Sequence, residues 1–258
     1  MKYNDLEIEN WRDSGINTDS LWLISERDKK GKHENNYHGN FIPQIPNQLI
    51  TRYTKKGETV FEPFMGSGTT LFVCEELGRN YIGFDINKKI VDFVITKADS
   101  KETTFIKTCD SLNARQVNKK FDAAFTKNVQ FILMHPPYLD IVKFTDKPND
   151  LSQISDLNEF LKKFKTICDN SLKYLDKDRY FALVIGDVYK NGEIVPLSFY
   201  CMDMIKRNFN VKLKGVVVKN IEGNRGKIGQ NNIWKYRALT SDYFIFKHEY
   251  IFVFKKEF

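Results

Sequence analysis

Thr59-Val60-Phe61-Glu62-Pro63-Phe64-Met65-Gly66-Ser67-Gly68-Thr69-Thr70 decides the fold. It reads as a buried strand, a glycine turn and a helix starting at Thr69. Gly66 and Gly68 carry no Cβ and let backbone approach a ligand closely. The helix that follows offers unbonded N–H groups and the positive end of its dipole. Such a loop suits a nucleotide-type ligand. A dinucleotide fingerprint would need a third glycine at position 71, where the chain has Leu71, so a dehydrogenase is disfavoured.

The same pattern recurs downstream. Asn80-Tyr81-Ile82-Gly83-Phe84-Asp85 is a second short strand ending in an acid, seventeen residues beyond Gly68. Asp85 is placed either to hold ribose hydroxyls or to cap the helix that begins near Asn87. Phe105-Ile106-Lys107-Thr108-Cys109-Asp110 is a third, where Asp110 either bonds the exocyclic amine of a cofactor adenine or caps the next helix. Strands near 58 to 62, 80 to 85, 103 to 108, 128 to 134 and 180 to 186 alternate with helical stretches. This alternation predicts an α/β fold, a doubly wound and mostly parallel sheet covered on both faces. Leu157, Phe160, Leu161, Phe164, Ile167, Cys168, Leu172 and Leu175 recur at helical spacing as a core-facing stripe. Pro196 opens another helix, carrying Leu197, Tyr200, Cys201, Met204 and Ile205.

Met134-His135-Pro136-Pro137-Tyr138, at the end of the apolar run Val129 to Met134, carries the chemistry. An amine conjugated with a base ring is a poor nucleophile. A catalyst must accept both its N–H hydrogens and leave the nitrogen lone pair facing an electrophile. His135 can accept one hydrogen through an unprotonated ring nitrogen and the Pro136 carbonyl the other, while Tyr138 stacks on a base swung out of its helix. The bland alternative is a rigid turn in which Pro136 and Pro137 end a strand. With the ordinary imidazole value of roughly 6.5, His135 would lose its acceptor, and the protein its activity, as pH falls through that region.

These residues resemble the amino-methyltransferases of DNA, enzymes that use S-adenosylmethionine to make N6-methyladenine or N4-methylcytosine. Glu62 to Gly68 is similar to their cofactor motif, and His135-Pro136-Pro137-Tyr138 to their catalytic motif, which usually begins with Asp, Asn or Ser. Tyr37-His38-Gly39-Asn40-Phe41-Ile42-Pro43-Gln44-Ile45-Pro46 resembles the segment that closes over the cofactor in that family. The resemblance implies a cofactor site made of Asn40, Phe41, Ile42, Pro43, Glu62, Pro63, Phe64, Met65, Gly66, Ser67, Gly68, Thr69, Thr70, Asp85, Ile86, Asn87, Asp110, Ser111 and Leu112. Within it, Gly66 to Thr69 would hold the amino-acid end of the cofactor. The resemblance also implies a seven-stranded sheet completed by Val211 to Val218 and Tyr250 to Phe254 in antiparallel pairing. The activity it implies is methylation of an exocyclic base amine in double-stranded DNA, adenine N6 ahead of cytosine N4, of restriction-modification or orphan type. Two readings stand beside it: a methyltransferase of structured RNA, and a non-catalytic subunit in which His135 is the lesion.

Composition bounds these readings. The chain has 258 residues, 41% hydrophobic and 14% aromatic, enough for a single domain over 1–258 with a substantial core. Lysine plus arginine outnumber aspartate plus glutamate by 40 to 33, a net +7 that favours a polyanionic partner without requiring one. Cys74, Cys109, Cys168 and Cys201 are widely separated, as expected of a reduced, cytoplasmic protein. No apolar run approaches membrane-spanning length and no leader is evident. His33, His38 and His248 lack neighbouring acids at ligand spacing, so no metal is assigned.

Three segments interrupt the rhythm. Residues 1–40 form a polar N-terminal segment, either a solvated loop or a segment that contacts DNA or closes over the site. The loop from Leu139 to Ser152, with Lys143, Lys147, Pro148 and Asn149, is either a linker or a mobile segment that closes on DNA, and Asp140 is placed to orient substrate or that loop. The stretch 219–246 interleaves Arg225, Lys227, Lys235 and Arg237 with Asn231, Trp234 and Tyr236, a combination that suits phosphates, base edges and stacking. It is the candidate DNA-recognition loop, its alternative an ordered surface hairpin. Because only about seventy residues separate the glycine loop from the catalytic tetrapeptide, no recognition domain fits between them. So short a recognition region implies a homodimer or a separate specificity partner, since specific DNA binding usually buries roughly 1,000 Å² or more of protein surface.

Overall fold

A computed structural model describes residues 3–33, 39–221 and 231–257. Strands β1 (Leu21–Trp22), β2 (Thr59–Glu62), β3 (Asn80–Asp85), β4 (Thr104–Thr108), β5 (Val129–Met134), β6 (Leu175–Ile185), β9 (Val211–Asn220) and β10 (His248–Lys256) form one sheet in the order β1-β9-β10-β6-β5-β2-β3-β4. From β4 to β6 all neighbours are parallel, and β10 pairs antiparallel with both β6 and β9. β7 (Val188–Lys190) and β8 (Glu193–Val195) form a separate hairpin.

The sheet has eight strands where seven were expected. The extra strand is β1, from the polar N-terminal segment, which pairs parallel to the outer edge of β9 and buries Trp22. Much of that segment is docked rather than solvated. Asn17 N–H donates to Gln48 at 2.7 Å, Lys32 pairs with Glu75 and Asp99, and His33 is buried against Phe72.

Side chains alternate between two cores, as the two-residue period of a strand dictates. Val60, Tyr81, Phe131, Leu133 and Ala182 face α1 (Gln44–Tyr53), α2 (Thr69–Leu77) and α3 (Lys88–Lys97). Phe61, Ile82, Ile132, Met134 and Phe181 face α4 (Ala114–Ala123), α5 (Leu157–Leu172) and α6 (Leu197–Asn208). The expected stripe on α5 is present, with Phe160, Phe164, Ile167 and Cys168 buried, but it stops at Leu172. Leu175 instead starts β6, whose register against β5 shifts between Val129 and Phe131. All four cysteines are free and buried. Among the described residues no helix is long and apolar enough to cross a membrane.

The glycine turn is built as the sequence requires. Gly68 is left-handed at φ +83°, and a Cβ on it would lie 2.8 Å from Val94 Cγ1, so α3 packs directly on the turn that starts α2. Gly68→Ala therefore meets both backbone strain and a clash. We expect a loss of about 1–3 kcal/mol in urea unfolding, where a surface substitution stays within about 0.5 kcal/mol.

Candidate active site

The carboxyl ends of the parallel strands converge on one edge of the sheet. After β2 the chain turns through Met65 to Gly68; Met65 N–H is held by Phe84 O at 2.8 Å and Gly68 N–H by Met65 O at 3.2 Å. Asp85 ends β3 beside it. One carboxylate oxygen accepts from Gly66 N–H at 2.9 Å and the other from Asn87 N–H at 2.8 Å. Asn87, not Asp85, caps α3 through Lys89 N–H. Burial pushes the Asp85 carboxyl up to about 6 against the pull of these two N–H groups.

Glu62 points away from the open edge. It is fully buried, accepting from Thr70 Oγ1 at 2.8 Å and from Tyr81 OH at 2.6 Å, and burial pushes its carboxyl up to about 8. Glu62 and Thr70 thus tie the strand to the helix under the turn. Pro63 O is fixed by the Ser111 hydroxyl at 3.0 Å, and the loop carrying Ser111 and Leu112 is fixed in turn by the buried Asn170 amide of α5, at 2.9 and 3.1 Å. Phe64 packs on Phe164.

Asp110 follows β4. It accepts from Leu112 N–H at 3.0 Å and from Asn149 Nδ2 at 2.7 Å, while Asn113 caps α4. Lys147 Nζ reaches Ile86 O at 2.6 Å. The 139–152 loop therefore lies across the ends of β3 and β4, and Phe144 stands 3.1 Å from where a Cβ of Gly39 would be. On the other side, Asn40 donates to Ser67 Oγ at 3.2 Å, and Arg27 holds Phe41 O at 2.8 Å. Pro43 caps α1, with Ile42 half-buried beside it. A glycine cradle between two strand-end acids, covered by two segments, fits the nucleoside cofactor that the resemblance implies. Each Asp110 oxygen thus accepts one hydrogen bond and keeps a second acceptor site.

His135 follows β5, the neighbour of β2, so Pro136, Pro137 and Tyr138 begin beside the glycine turn. The Phe41 ring meets the imidazole edge to face at 4.9 Å. His135 Nε2 lies 3.1 Å from Tyr138 OH, which donates to Glu249 at 3.3 Å, and Glu249 forms a buried ion pair with Lys219 at 3.1 Å. Gly186, at the end of β6, leaves room for the Tyr138 ring; a Cβ there would sit 3.0 Å from it. Burial holds the imidazole down at about 4, opposed by Glu249 and aided by Lys219. The expected loss of its acceptor near 6.5 is therefore corrected: desolvation keeps His135 neutral well below that region.

The candidate recognition stretch is not one loop. Lys219 belongs to β9 and is buried. Asn231 begins α7 (Asn231–Thr240), which carries Trp234, Lys235 and Arg237; Arg225 and Lys227 lie outside the described residues. Lys235 and Arg237 are exposed, and the Arg237 guanidinium lies 5.5 Å from the Trp234 ring. Beyond α7, Tyr243 stacks on Tyr189 of the β7–β8 hairpin at 4.5 Å, and that hairpin is tied to the loop after Tyr138 by Lys190–Asp140 at 2.6 Å. Glu249 and Asn170 were not foreseen as parts of the site, and Lys219 and Asn149 were placed only within the candidate recognition stretch and the loop after Tyr138. The available signal was a lysine and a glutamate at neighbouring ends of two apolar strands.

Residues 1–97 match the family model for DNA methylases of the N6/N4 type. The type II methyltransferase M.MjaII of Methanocaldococcus jannaschii is 44% identical over 68 residues, 25% of this chain and 13% of that protein. M.HpaI of Haemophilus parainfluenzae is 27% identical over 165 residues, 64% of this chain and 50% of that protein. The chain thus spans half or less of the length of these curated relatives. Among solved structures, the [4+2]-cyclase SpnF superposes with a TM-score of 0.54 at 9% identity, covering 83% of this chain and 81% of that one. A putative SAM-dependent methyltransferase from Streptococcus mutans gives 0.50 at 11% identity, covering 84% and 50%. The structural likenesses show the fold: a mostly parallel sheet flanked by helices, of the Rossmann-like methyltransferase kind. The family-model match and the curated relatives support assignment to the DNA N6-adenine/N4-cytosine methylase family.

The low His135 value carries a stability signature. The unfolded chain takes up this proton near 6.5 and the folded chain only near 4, so the unfolded state binds more protons between those values and folding loses stability as pH falls through them. Urea unfolding from pH 7 to 4 is expected to show wild type losing up to about 3 kcal/mol more than His135→Asn. Parallel curves would place His135 in contact with water.

Proposed function

We propose, from the assignment to the DNA methylase family and the meeting of the glycine turn with His135-Pro136-Pro137-Tyr138, that the protein is an S-adenosylmethionine-dependent methyltransferase of double-stranded DNA. It acts on an exocyclic base amine, adenine N6 ahead of cytosine N4. The single observation that supports this most is adjacency: β2 and β5 are hydrogen-bonded neighbours, so the cofactor turn and the tetrapeptide share one edge. S-adenosylmethionine, when bound, supplies an electrophilic methyl group.

The residues of the chain do the rest. Gly66, Ser67, Gly68 and Thr69 approach the amino-acid end of the cofactor, Asp85 its ribose and Asp110 its adenine. His135, neutral over the working range, accepts one hydrogen of the target amine, and the Pro136 carbonyl accepts the other. That leaves the amine lone pair directed at the methyl group. Tyr138 stacks on the flipped base. The exposed Lys235 and Arg237 on α7 contact phosphate, with Trp234 beside them, and a homodimer or a separate specificity partner supplies the remaining DNA surface.

Expression in a host without DNA methylation, followed by modification-sensitive genome sequencing, tests the reading. One modified base in one sequence context is expected, and an unmodified genome would overturn it. Asp85→Ala should weaken S-adenosylmethionine binding at least tenfold in calorimetry, because a charge-assisted bond to hydroxyls contributes roughly 1.5–3 kcal/mol. Tyr138→Ala should instead slow methylation strongly at unchanged cofactor affinity, since a lost base stack costs roughly 1–3 kcal/mol.

A further inference from the structure

Behind the tetrapeptide lies a chain of polar groups that the proposed chemistry does not itself require. Lys219 and Glu249 are direct cross-strand partners on β9 and β10, both nearly fully buried, at the end of the sheet where β5 and β6 also terminate. Glu249 uses one oxygen for Lys219 Nζ at 3.1 Å and the other for Tyr138 OH at 3.3 Å, and the same hydroxyl lies 3.1 Å from His135 Nε2.

A hydroxyl has one proton, and a carboxylate paired with an ammonium group only accepts. The Tyr138 proton therefore goes to Glu249, and the Tyr138 oxygen is left to accept from His135. Nε2 must then carry the imidazole hydrogen. His135 Nδ1, which makes no hydrogen bond within the chain among the described residues, is left as the acceptor.

We propose that Glu249, anchored by Lys219, is a positioning residue that acts through Tyr138 to hold His135 as its Nε2–H tautomer, so that Nδ1 is the atom that accepts a hydrogen from the target amine. The inference rests on the methyltransferase reading for its last clause only. Asp, Asn or Ser at this position would present a carboxylate, carbonyl or hydroxyl oxygen whatever its neighbours, whereas an imidazole offers its acceptor on one side or the other according to its tautomer. A histidine here needs a tautomer lock. The charged and titratable groups around the imidazole are Glu249 and Lys219 from the antiparallel strand pair and Tyr138 from its own loop; Phe41 closes the remaining side. Of these, Tyr138 and Phe41 were singled out from the sequence, and Glu249 and Lys219 were not singled out as ligands.

Two readouts test it on the full chain. Long-range 1H–15N correlation of the imidazole rings, with His135 identified by loss of its signals in His135→Asn, is expected to show a protonated Nε2 and an unprotonated Nδ1 in wild type at pH 7. A predominant Nδ1–H form would overturn the proposal, whether or not the protein methylates DNA. Glu249→Gln and Tyr138→Phe are expected to mix the two tautomers and to slow single-turnover methylation about tenfold at unchanged affinity for S-adenosylmethionine, tenfold being the effect of losing one modest hydrogen bond. Because Tyr138→Phe retains the ring, it separates the hydroxyl from the stack. Wild-type tautomer and rate in both variants would show that Glu249 only fills the core. A wild type that never methylates DNA overturns the function while leaving the tautomer measurement to stand by itself.

Discussion

The hydrogen-bonded pairing of β2 with β5 is the constraint on which the site depends. The chain lays down β2, β3 and β4 in one direction along the sheet, then crosses back to place β5 on the other side of β2. Helices after β2 and after β5 consequently pack on opposite faces, and a crevice opens at the carboxyl ends where the order reverses. The glycine turn and the His135 tetrapeptide, roughly seventy residues apart in sequence, meet there because β2 and β5 are parallel neighbours and both loops follow carboxyl ends.

Polar anchors then refine what topology has brought together. Asp85 clamps Gly66 to the start of α3, Glu62 ties Thr70 and Tyr81 beneath the turn, and Asn170 pins the loop after β4 from the opposite helical layer. Glu62 and Asn170 are buried and Asp85 half-buried, and each finds hydrogen-bond partners, as burial requires. The ion pair of Glu249 and Lys219 does the same on the side of the His135 tetrapeptide. The likeness in fold to the SpnF cyclase fits the rule that one sheet supports unrelated reactions and that the site chemistry decides among them.

Much of this was legible in the sequence because it is local. The strand, glycine turn and helix from Thr59 to Thr70, and the strands ending at Asp85 and before His135, announce themselves through composition and spacing. What escaped was long-range or short. β1 has two residues and exists only because β9 offers an edge. The stripe of α5 ran on to Leu175 because an apolar residue at the right spacing looks the same on a helix as at the first position of a strand. The β7–β8 hairpin had a readable signal, Asn191-Gly192 with both φ values positive, the dipeptide of a tight primed turn. The depression of His135 could not be read at all, since it comes from burial under neighbours such as Phe41, is aided by Lys219 and is only opposed by Glu249, all far away along the chain.

The claim that one edge holds both cofactor and target base is tested most directly by the crystal structure of the protein with S-adenosylmethionine bound. The account places the amino-acid end of the cofactor against Gly66 to Thr69, the ribose on Asp85, and the methyl group facing the gap bounded by His135 Nδ1 and the Pro136 carbonyl. A cofactor seated elsewhere, or one whose methyl group points away from His135 and Pro136, would contradict it.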